Sequence, residues 1–385
     1  MTTNVDQLKE PLPLWERSIW WSNIVLAITT IIAYISPSIS TQFITWPAYF
    51  GLLTPVWYLV NIFYAVFWLF RKRKHFLLSV ALILIGIVPM HKVFQFNISP
   101  AQLKESESIK VMSFNVRVFD LYNWTKNVDS KNNIIDFLEN EQPDVICFQE
   151  YYHGDGAHFS VKNDILEKLQ MKYMRAHFTS STRHKTKKGV NYFGSAIFSR
   201  YPIVKDGVIE FRDEKSNHAT FIDIVKNQDT IRIYNAHTGS LRLQNADYQL
   251  IGGDDNKKNK SQQKAARNLL ARMDQAYIKR SNQVDLLLSE MSFCPYPKIL
   301  CVDLNDVPVS HAYHLLSNSL TDAFIHTGQG LGSTYVGDNY FNRILPINRI
   351  DYIFHSSEFE TGNFTTHQQK LSDHKPISCR LQLKQ

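Results

Sequence analysis

Between Arg17 and Arg71 the chain carries no charged residue, and between Glu16 and Glu105 it carries no acidic one. A soluble domain needs a polar surface, so a stretch this long without charge belongs in an apolar solvent. Three apolar runs lie within it, at 18–35, 43–70 and 76–94. A bilayer core takes roughly 20 helical residues, so the pattern predicts about three transmembrane helices. Pro47 and Pro55 break or tilt the second run. Trp20, Trp21, Trp46, Trp57 and Trp68 fall near the run ends or within them, as interfacial aromatics do.

From residue 108 the pattern changes to short β-branched runs bounded by turn residues: 109–114, 145–148, 194–199, 219–225, 230–235, 298–302 and 350–355. Such runs read as strands. Helical spacing falls between some of them. Over 132–140 it puts Ile134, Ile135 and Leu138 on one face, and 164–169 is a second short helix. The longest covers 262–291, with Leu269, Leu270, Met273, Tyr277, Val284, Leu287 and Leu288 on its stripe. Strands mixed with helices predict an α+β domain of packed sheets with helices outside. The Gly-led polar stretch 252–260 reads as a loop. The chain then divides into an N-terminus 1–17, a membrane segment 18–94, a linker 95–107 and a soluble domain 108–385.

Composition agrees, with 44% hydrophobic and 20% charged residues, a globular rather than disordered balance. Four Cys in 385 residues exclude a disulfide scaffold, and none has metal-ligand spacing. They read as small core residues, with a Cys294–Cys379 or other bridge left open. Charge sets the orientation. The cluster 71–74 (RKRK) separates the second and third runs, whereas the loop 36–42 is uncharged. Positive loops stay cytoplasmic, so the N-terminus is expected in the cytoplasm and the domain on the exocytoplasmic side of a multi-pass membrane protein.

The candidate chemistry sits at strand ends. Asn115 ends one run, Glu150 a second, Asn235 and His237 a third, and Asp303 and Asn305 a fourth. Asp351 opens another strand, and Asp373 and His374 precede the last. Acids, amides and His gathered at one sheet edge make an oxygen-rich site for a hard cation, with His available for proton transfer.

The ordered series SFNVR, DVICFQE, YFGSAIFSRYPI, YNAH, VDLND, GSTY, RIDYIF and LSDHKPI resembles the endonuclease/exonuclease/phosphatase superfamily over about residues 108–383. The resemblance implies a two-sheet, mostly antiparallel sandwich flanked by helices. It implies a divalent cation, Mg²⁺ with Mn²⁺ as a substitute, held by Glu150 with Asn115 beside it, and a metal- or water-linked role for Asp373. Asp303 would orient or deprotonate the attacking water, and Asn305 would hydrogen-bond the phosphate and that base. His237 and His374 match phosphate-contacting histidines, and Asp351 matches the acid paired with the latter. Asn191 or Tyr192 would contact substrate phosphate. Three departures stand out. Arg117 occupies a position where many nucleases of the family carry an acid, Val302 replaces the usual Gly before the catalytic Asp, and the Trp-Cys-Asp-Arg-type segment of inositol phosphatases is absent.

These readings imply a membrane-anchored, metal-dependent phosphodiesterase or phosphatase. Its substrate is expected among lipid headgroups, small molecules or nucleic acid, with the bilayer as its other partner and no obligate protein partner evident. One alternative is a membrane-anchored nuclease, favoured by the net charge of +7 and the basic stretches 183–188 and 257–280. The other is an inactive binding module, which Arg117 alone supports.

Overall fold

A computed structural model describes residues 13–97, 101–155, 161–183, 189–212, 216–241, 260–337 and 348–384. All but Lys260 of the expected loop 252–260, and all but Arg183 of the basic stretch 183–188, lie outside the described residues.

The uncharged stretch forms α1 (Leu14–Ile35), a short 3-10 turn, α2 (Trp46–Leu52), α3 (Thr54–Phe70) and α4 (Phe76–Val93). Two helices, α1 and α4, are long and apolar enough to cross a membrane, while α2 and α3 meet at a bend of 62°. The expectation of about three spans is therefore corrected to two unbroken ones. The cause is local. Pro47 and Pro55 sit in the first turns of α2 and α3, and a Pro there lacks the N–H that would continue the preceding helix. Polar side chains buried among the helices bond to each other. Asn23 Nδ2 donates to Ser79 Oγ at 3.0 Å, and Asn61 Nδ2 to Thr30 Oγ1 at 2.9 Å. Such pairs hold helices together where lipid removes the hydrophobic drive between them. Glu16, fully buried in α1, accepts from Arg71 Nε at 2.9 Å, so the first helix begins ahead of the expected residue 18.

The rest is a sandwich. In chain order come β1 (Gln95–Phe96), β2 (Ile109–Asn115), α5 (Ser130–Glu141), β3 (Val145–Gly154), α6 (Lys162–Lys168), β4 (Tyr173–Arg183) and β5 (Val190–Ser199). Next are β6 (Ile203–Glu210), β7 (His218–Lys226), β8 (Asp229–His237), α7 (Lys260–Ser292), β9 (Lys298–Asp303) and α8 (His311–Ser319). Last are β10 (Thr321–Asp322), α9 (Ala323–Thr327), β11 (Gln329–Gly330), β12 (Asp351–His355), β13 (Phe359–Thr366) and β14 (Ile377–Leu383). One sheet has the order β13-β14-β2-β3-β5-β4 and the other β10-β12-β9-β8-β7-β6. Both are mixed rather than purely antiparallel, since β2 runs parallel to β3 and β8 parallel to β9.

The alternation along each strand explains the continuous apolar runs. On β3, Val145 and Cys147 face Ile233 and Cys301 of the other sheet, while Ile146 and Phe148 pack with Ile134 and Leu138 of α5. On β9, Ile299 and Cys301 point between the sheets, and Leu300 and Val302 meet Val284 and Leu287 of α7. A strand buried on both faces has no polar face to show. The four Cys are buried free thiols, so no Cys294–Cys379 bridge forms.

The helices dock on the sandwich. Val93 at the end of α4 joins Val307 and Val309 in a small buried cluster, with Leu52, Met90 and Leu331 against it. Fully burying a side chain of this size contributes about 1.5–3 kcal/mol. Around the cluster, Arg349 donates to the Lys92 carbonyl at 2.8 Å, His311 Nδ1 to the Pro37 carbonyl at 2.7 Å, and Tyr49 to Asp274 at 2.6 Å. The expected linker also lies on the domain, with β1 paired to β11 and Asn363 N donating to the Ala101 carbonyl.

Candidate active site

Two parallel strand ladders run out at the same edge. β2 and β3 bring Asn115 opposite Gln149, and β8 and β9 bring His237 opposite Asp303. On the far side of β9, Asp351 is the register partner of Asp303. Asp303 is therefore flanked within its own sheet by a His and an acid. The other sheet reaches across to it, as Asn115 Nδ2 donates to Asp303 Oδ2 at 2.9 Å. The second carboxylate oxygen accepts from the Asn305 backbone N–H at 3.1 Å, and Asn305 Nδ2 donates to the Thr238 carbonyl at 3.1 Å. His237 Nε2 stands 3.6 Å from Asp303 Oδ2.

His374 Nδ1 donates to Asp351 at 2.9 and 3.1 Å and lies 3.9 Å from Asp303. Asp351 opens β12 in one sheet, and His374 precedes β14 in the other. They meet because the sheets close on each other at this edge. Thr334, from the GSTY segment, fixes the acid by accepting from the Ile350 and Asp351 N–H groups at 3.0 and 3.1 Å.

The group is dry: Asp303, Asp351 and His374 are 0%, 2% and 6% exposed. Burial raises the Asp303 pKa, and the Asp351 charge adds to this, against His374, His237 and the Asn115 hydrogen bond. Burial alone would lower the pKa of His374, but Asp351 and Asp303 outweigh it and raise it well above the ordinary value. His374 is thus held as a cation at neutral pH, with Nδ1 committed to Asp351 and Nε2 left over.

A divalent cation was expected at Glu150, Asn115 and Asp373. Glu150 lies in a bulge of β3, where Phe148 and Tyr151 pair with Ala196 and Gly194. The extra residue lets Phe148 and Tyr151 pack in the same outer cluster, although a regular strand would put them on opposite faces. Glu150 itself has φ of 50°, a left-handed backbone that costs a non-Gly residue energy and clusters at functional sites. Its half-buried carboxylate has no hydrogen-bond or ion-pair partner among the described residues. A free carboxylate one residue beyond Gln149, the register partner of Asn115, is an oxygen donor of the kind a hard cation takes. Asn115 Oδ1 accepts from the Arg117 N–H at 3.0 Å and retains a second lone pair.

Asp373 is differently engaged. Its carboxylate lies 3.3 Å from Arg117 Nε, so the residue that departs from the family pattern supplies a fixed positive charge there. Ligand atoms of Asp303, Asp351 and His374 also lie within 4.8 Å of one another, a spacing compatible with a metal. His374 Nδ1 and the Asp351 carboxylate are engaged with each other, at 2.9 and 3.1 Å.

Asn191 and Tyr192 lie further along the β3–β5 ladder, opposite Gly154 and His153. Asn191 Oδ1 accepts from Tyr152 at 2.8 Å, and the charge of Asp155 raises the Tyr192 pKa. No contact among the described residues joins either one to the Asp303 group. Sequence reading gave no role to Gln149, whose Nε2 donates to Ser113 Oγ and Asn235 Oδ1 between the sheets. The amide before the last residue of the DVICFQE run, facing the one in YNAH, was its only signal. His218 was also missed; it bonds Ser195 Oγ at 2.7 Å and is the register partner of His237.

Residues 112–374 match the model of the Endonuclease/Exonuclease/phosphatase family, and the chain belongs to that family. Its members are phosphoesterases, nucleases or phosphatases, so the domain is one of a family of hydrolases. Residues 16–93 match a second model, described as a domain of unknown function (DUF8431). No curated protein matches the chain. Among solved structures, it resembles an endonuclease/exonuclease/phosphatase family protein from Bacteroides thetaiotaomicron, at 17% identity over 74% of this chain and 100% of that one, with a TM-score of 0.50. A second, an endonuclease/exonuclease/phosphatase from Beutenbergia cavernae, is 16% identical over 72% of each chain, with a TM-score of 0.49. A mannosyl-6-phosphatase from Bacteroides thetaiotaomicron is 17% identical over 71% of this chain and 99% of that one, with a TM-score of 0.48. At these identities the likeness is one of fold.

Proposed function

We propose that the chain is a membrane-anchored phosphoester hydrolase, dependent on Mg²⁺ or Mn²⁺, that cleaves a lipid headgroup or another phosphoester at the exocytoplasmic bilayer surface. One observation carries the membrane part: both segments bearing the central acids abut the helix ends. The strand ending in Asp303 runs on to Val307 and Val309, which pack on Val93 of α4. Arg349, two residues before Asp351, is bonded to the Lys92 carbonyl of the same helix and to Asp322 at 2.7 Å. A site fixed this close to the helix ends meets membrane substrates at high effective concentration. With the bent pair α2–α3 counted as one broken crossing, the cluster 71–74 at the other end of α4 supports a cytoplasmic N-terminus and an exocytoplasmic domain.

The chain's own residues divide the chemistry. Asp303 takes the proton of the attacking water. Burial raises its pKa, which makes it a better base near neutral pH than an ordinary carboxylate. Asn115 and the Asn305 N–H hold its two oxygens in place. His374, kept charged by Asp351, offers Nε2 to a non-bridging phosphate oxygen as negative charge builds. His237 supplies a second donor beside Asp303, and Asn305 lies next to the same oxygens. Glu150 and Asn115 would hold the cation, which when bound polarises a phosphoryl oxygen and steadies the leaving one.

The test is an activity panel on the full chain in vesicles: a chromogenic diester, a monoester, DNA, and phospholipids embedded in the bilayer, each with Mg²⁺, Mn²⁺ or EDTA. The expected result is EDTA-sensitive hydrolysis, faster for a bilayer-embedded phosphoester than for the same headgroup free in solution. Cleavage of DNA alone would replace this reading with the nuclease one. A reporter fused after Phe94 should be active only outside the cytoplasm; activity inside would sink the orientation.

A further inference from the structure

We propose that Tyr122 and Trp124 form a ring-binding subsite beside the candidate active site, for a neutral, hydroxylated ring carried on the phosphate. The proposal deepens the phosphoesterase reading and rests on it.

The backbone just after Asn115 turns left-handed. Arg117, Val118, Phe119 and Asp120 have φ of 44°, 51°, 56° and 57°. Four consecutive left-handed L-residues are individually unfavourable, and most so for β-branched Val118. The surroundings hold them there. Val118 and Phe119 are buried in the outer core, where the Phe119 ring lies 5.7 Å from both Phe148 and Tyr151. Asp120, 8% exposed, accepts from Ser130 Oγ at 2.9 Å and from the Thr125 hydroxyl and N–H. Strain fixed this firmly beside a site is where function is to be sought.

The turn presents a surface. Tyr122 and Trp124 are 60% and 46% exposed, with ring centroids 5.0 Å apart and planes inclined at 55°. The Arg117 guanidinium lies 4.4 Å from the Trp124 ring, while its Nε holds Asp373, the neighbour of His374. The aromatic pair is therefore continuous with the phosphate-handling residues, through one side chain.

Its chemistry selects an occupant. Two inclined rings make an angled apolar wall, which suits the C–H face of a puckered ring better than the parallel stacking a flat nucleobase prefers. A choline-like ammonium would normally be drawn to such rings, but here it would face the Arg117 charge. The exposed amides of Asn123 and Asn127 lie within the same loop and can bond ring hydroxyls. A sugar and a cyclitol share this chemistry.

Trp124 is the one tryptophan beyond residue 68, so the difference between full-chain wild-type and Trp124→Phe fluorescence isolates it. The probes are glucose 1-phosphate, inositol 1-phosphate, AMP, phosphocholine and glycerol 3-phosphate, titrated with the protein in detergent micelles. The expected result is a saturable change with the sugar or the cyclitol phosphate, and a weaker one or none with the other three. In kinetics, Trp124→Ala should cut the kcat/KM preference for the ring substrate over glycerol 3-phosphate by about tenfold, mainly through KM. Tyr122→Ala should do the same to a smaller extent, and thermal melts confirm folding of both. Equal responses to glycerol 3-phosphate, a response to AMP or phosphocholine alone, or an unchanged preference in folded variants would overturn the subsite. The titration needs no turnover, so a chain that hydrolyses none of the panel would remove the phosphoesterase reading while the subsite is still decided.

Discussion

The two parallel strand pairs bring residues to the same edge in opposite states. The β8–β9 pair, with Asp351 beside it, gives a group that is buried and bonded to itself: Asp303 to Asn115 and Asn305, Asp351 to His374. The β2–β3 pair gives Glu150, half-buried on a left-handed bulge with no protein partner among the described residues. A group already satisfied is fixed and suited to proton and charge work, because nothing must reorganise when charge develops. An acid left open is suited to an exchangeable ligand. In the proposed site the same topological device, a parallel pair running out at the edge, would serve a permanent half and a loadable half.

The comparison breaks most visibly at Asp303. Asp303→Asn should lower turnover by about 10³-fold or more on a folded domain, since the fixed half then has no base; measured kcat near wild type would end the assignment. A smaller effect tests whether that half acts as one unit. His374→Ala and Asp351→Asn should each cost about 10²-fold, and the double variant far less than their product. Multiplicative losses would mean that Asp351 only caps a turn. Smaller still, Val307→Asp should leave hydrolysis of a soluble diester within about threefold while removing the preference for bilayer-embedded substrate, by uncoupling the domain from α4. A retained preference would separate the helix junction from function.

The smallest effect is one of stability. Burial, helped by the His177 and His237 charges, lowers the His218 pKa to about 3 from 6.5. The unfolded state then binds more protons than the folded one between those values. His218 therefore contributes fully above about pH 6.5, and its contribution is lost as pH falls toward 3. His218→Gln should flatten the acid limb of a melting curve series between pH 7 and pH 4. An unchanged limb would mean that His218 is not held neutral.

Much of this was legible in the chain. Runs such as 145–148 and 298–302 became strands because burial on both faces leaves no alternation to misread. The polar ends of those runs gave Asn115, Asp303 and His237, since a strand fixes where its last residue lands. The resemblance pointed to Asp351 and His374 as a pair, but their meeting across two sheets was not legible, because sequence order does not say which sheet a strand joins. The break between α2 and α3 was signalled by Pro47 and Pro55, yet the 62° bend decides that they are not one straight span. The left-handed turn after Asn115 had no signal at all. It contains no Gly, and its conformation is imposed by the burial of Phe119 and Asp120.

The central claim is that the open half holds the cation and the closed half does not. Calorimetric titration of Mn²⁺ into the wild-type chain, Glu150→Gln and Asp351→Asn tests it without any substrate. The account predicts that Glu150→Gln weakens binding by at least about tenfold, while Asp351→Asn leaves the affinity within about twofold, because Asp351 is committed to His374. Binding lost in Asp351→Asn and kept in Glu150→Gln would place the metal on the Asp303, Asp351 and His374 group and contradict the account.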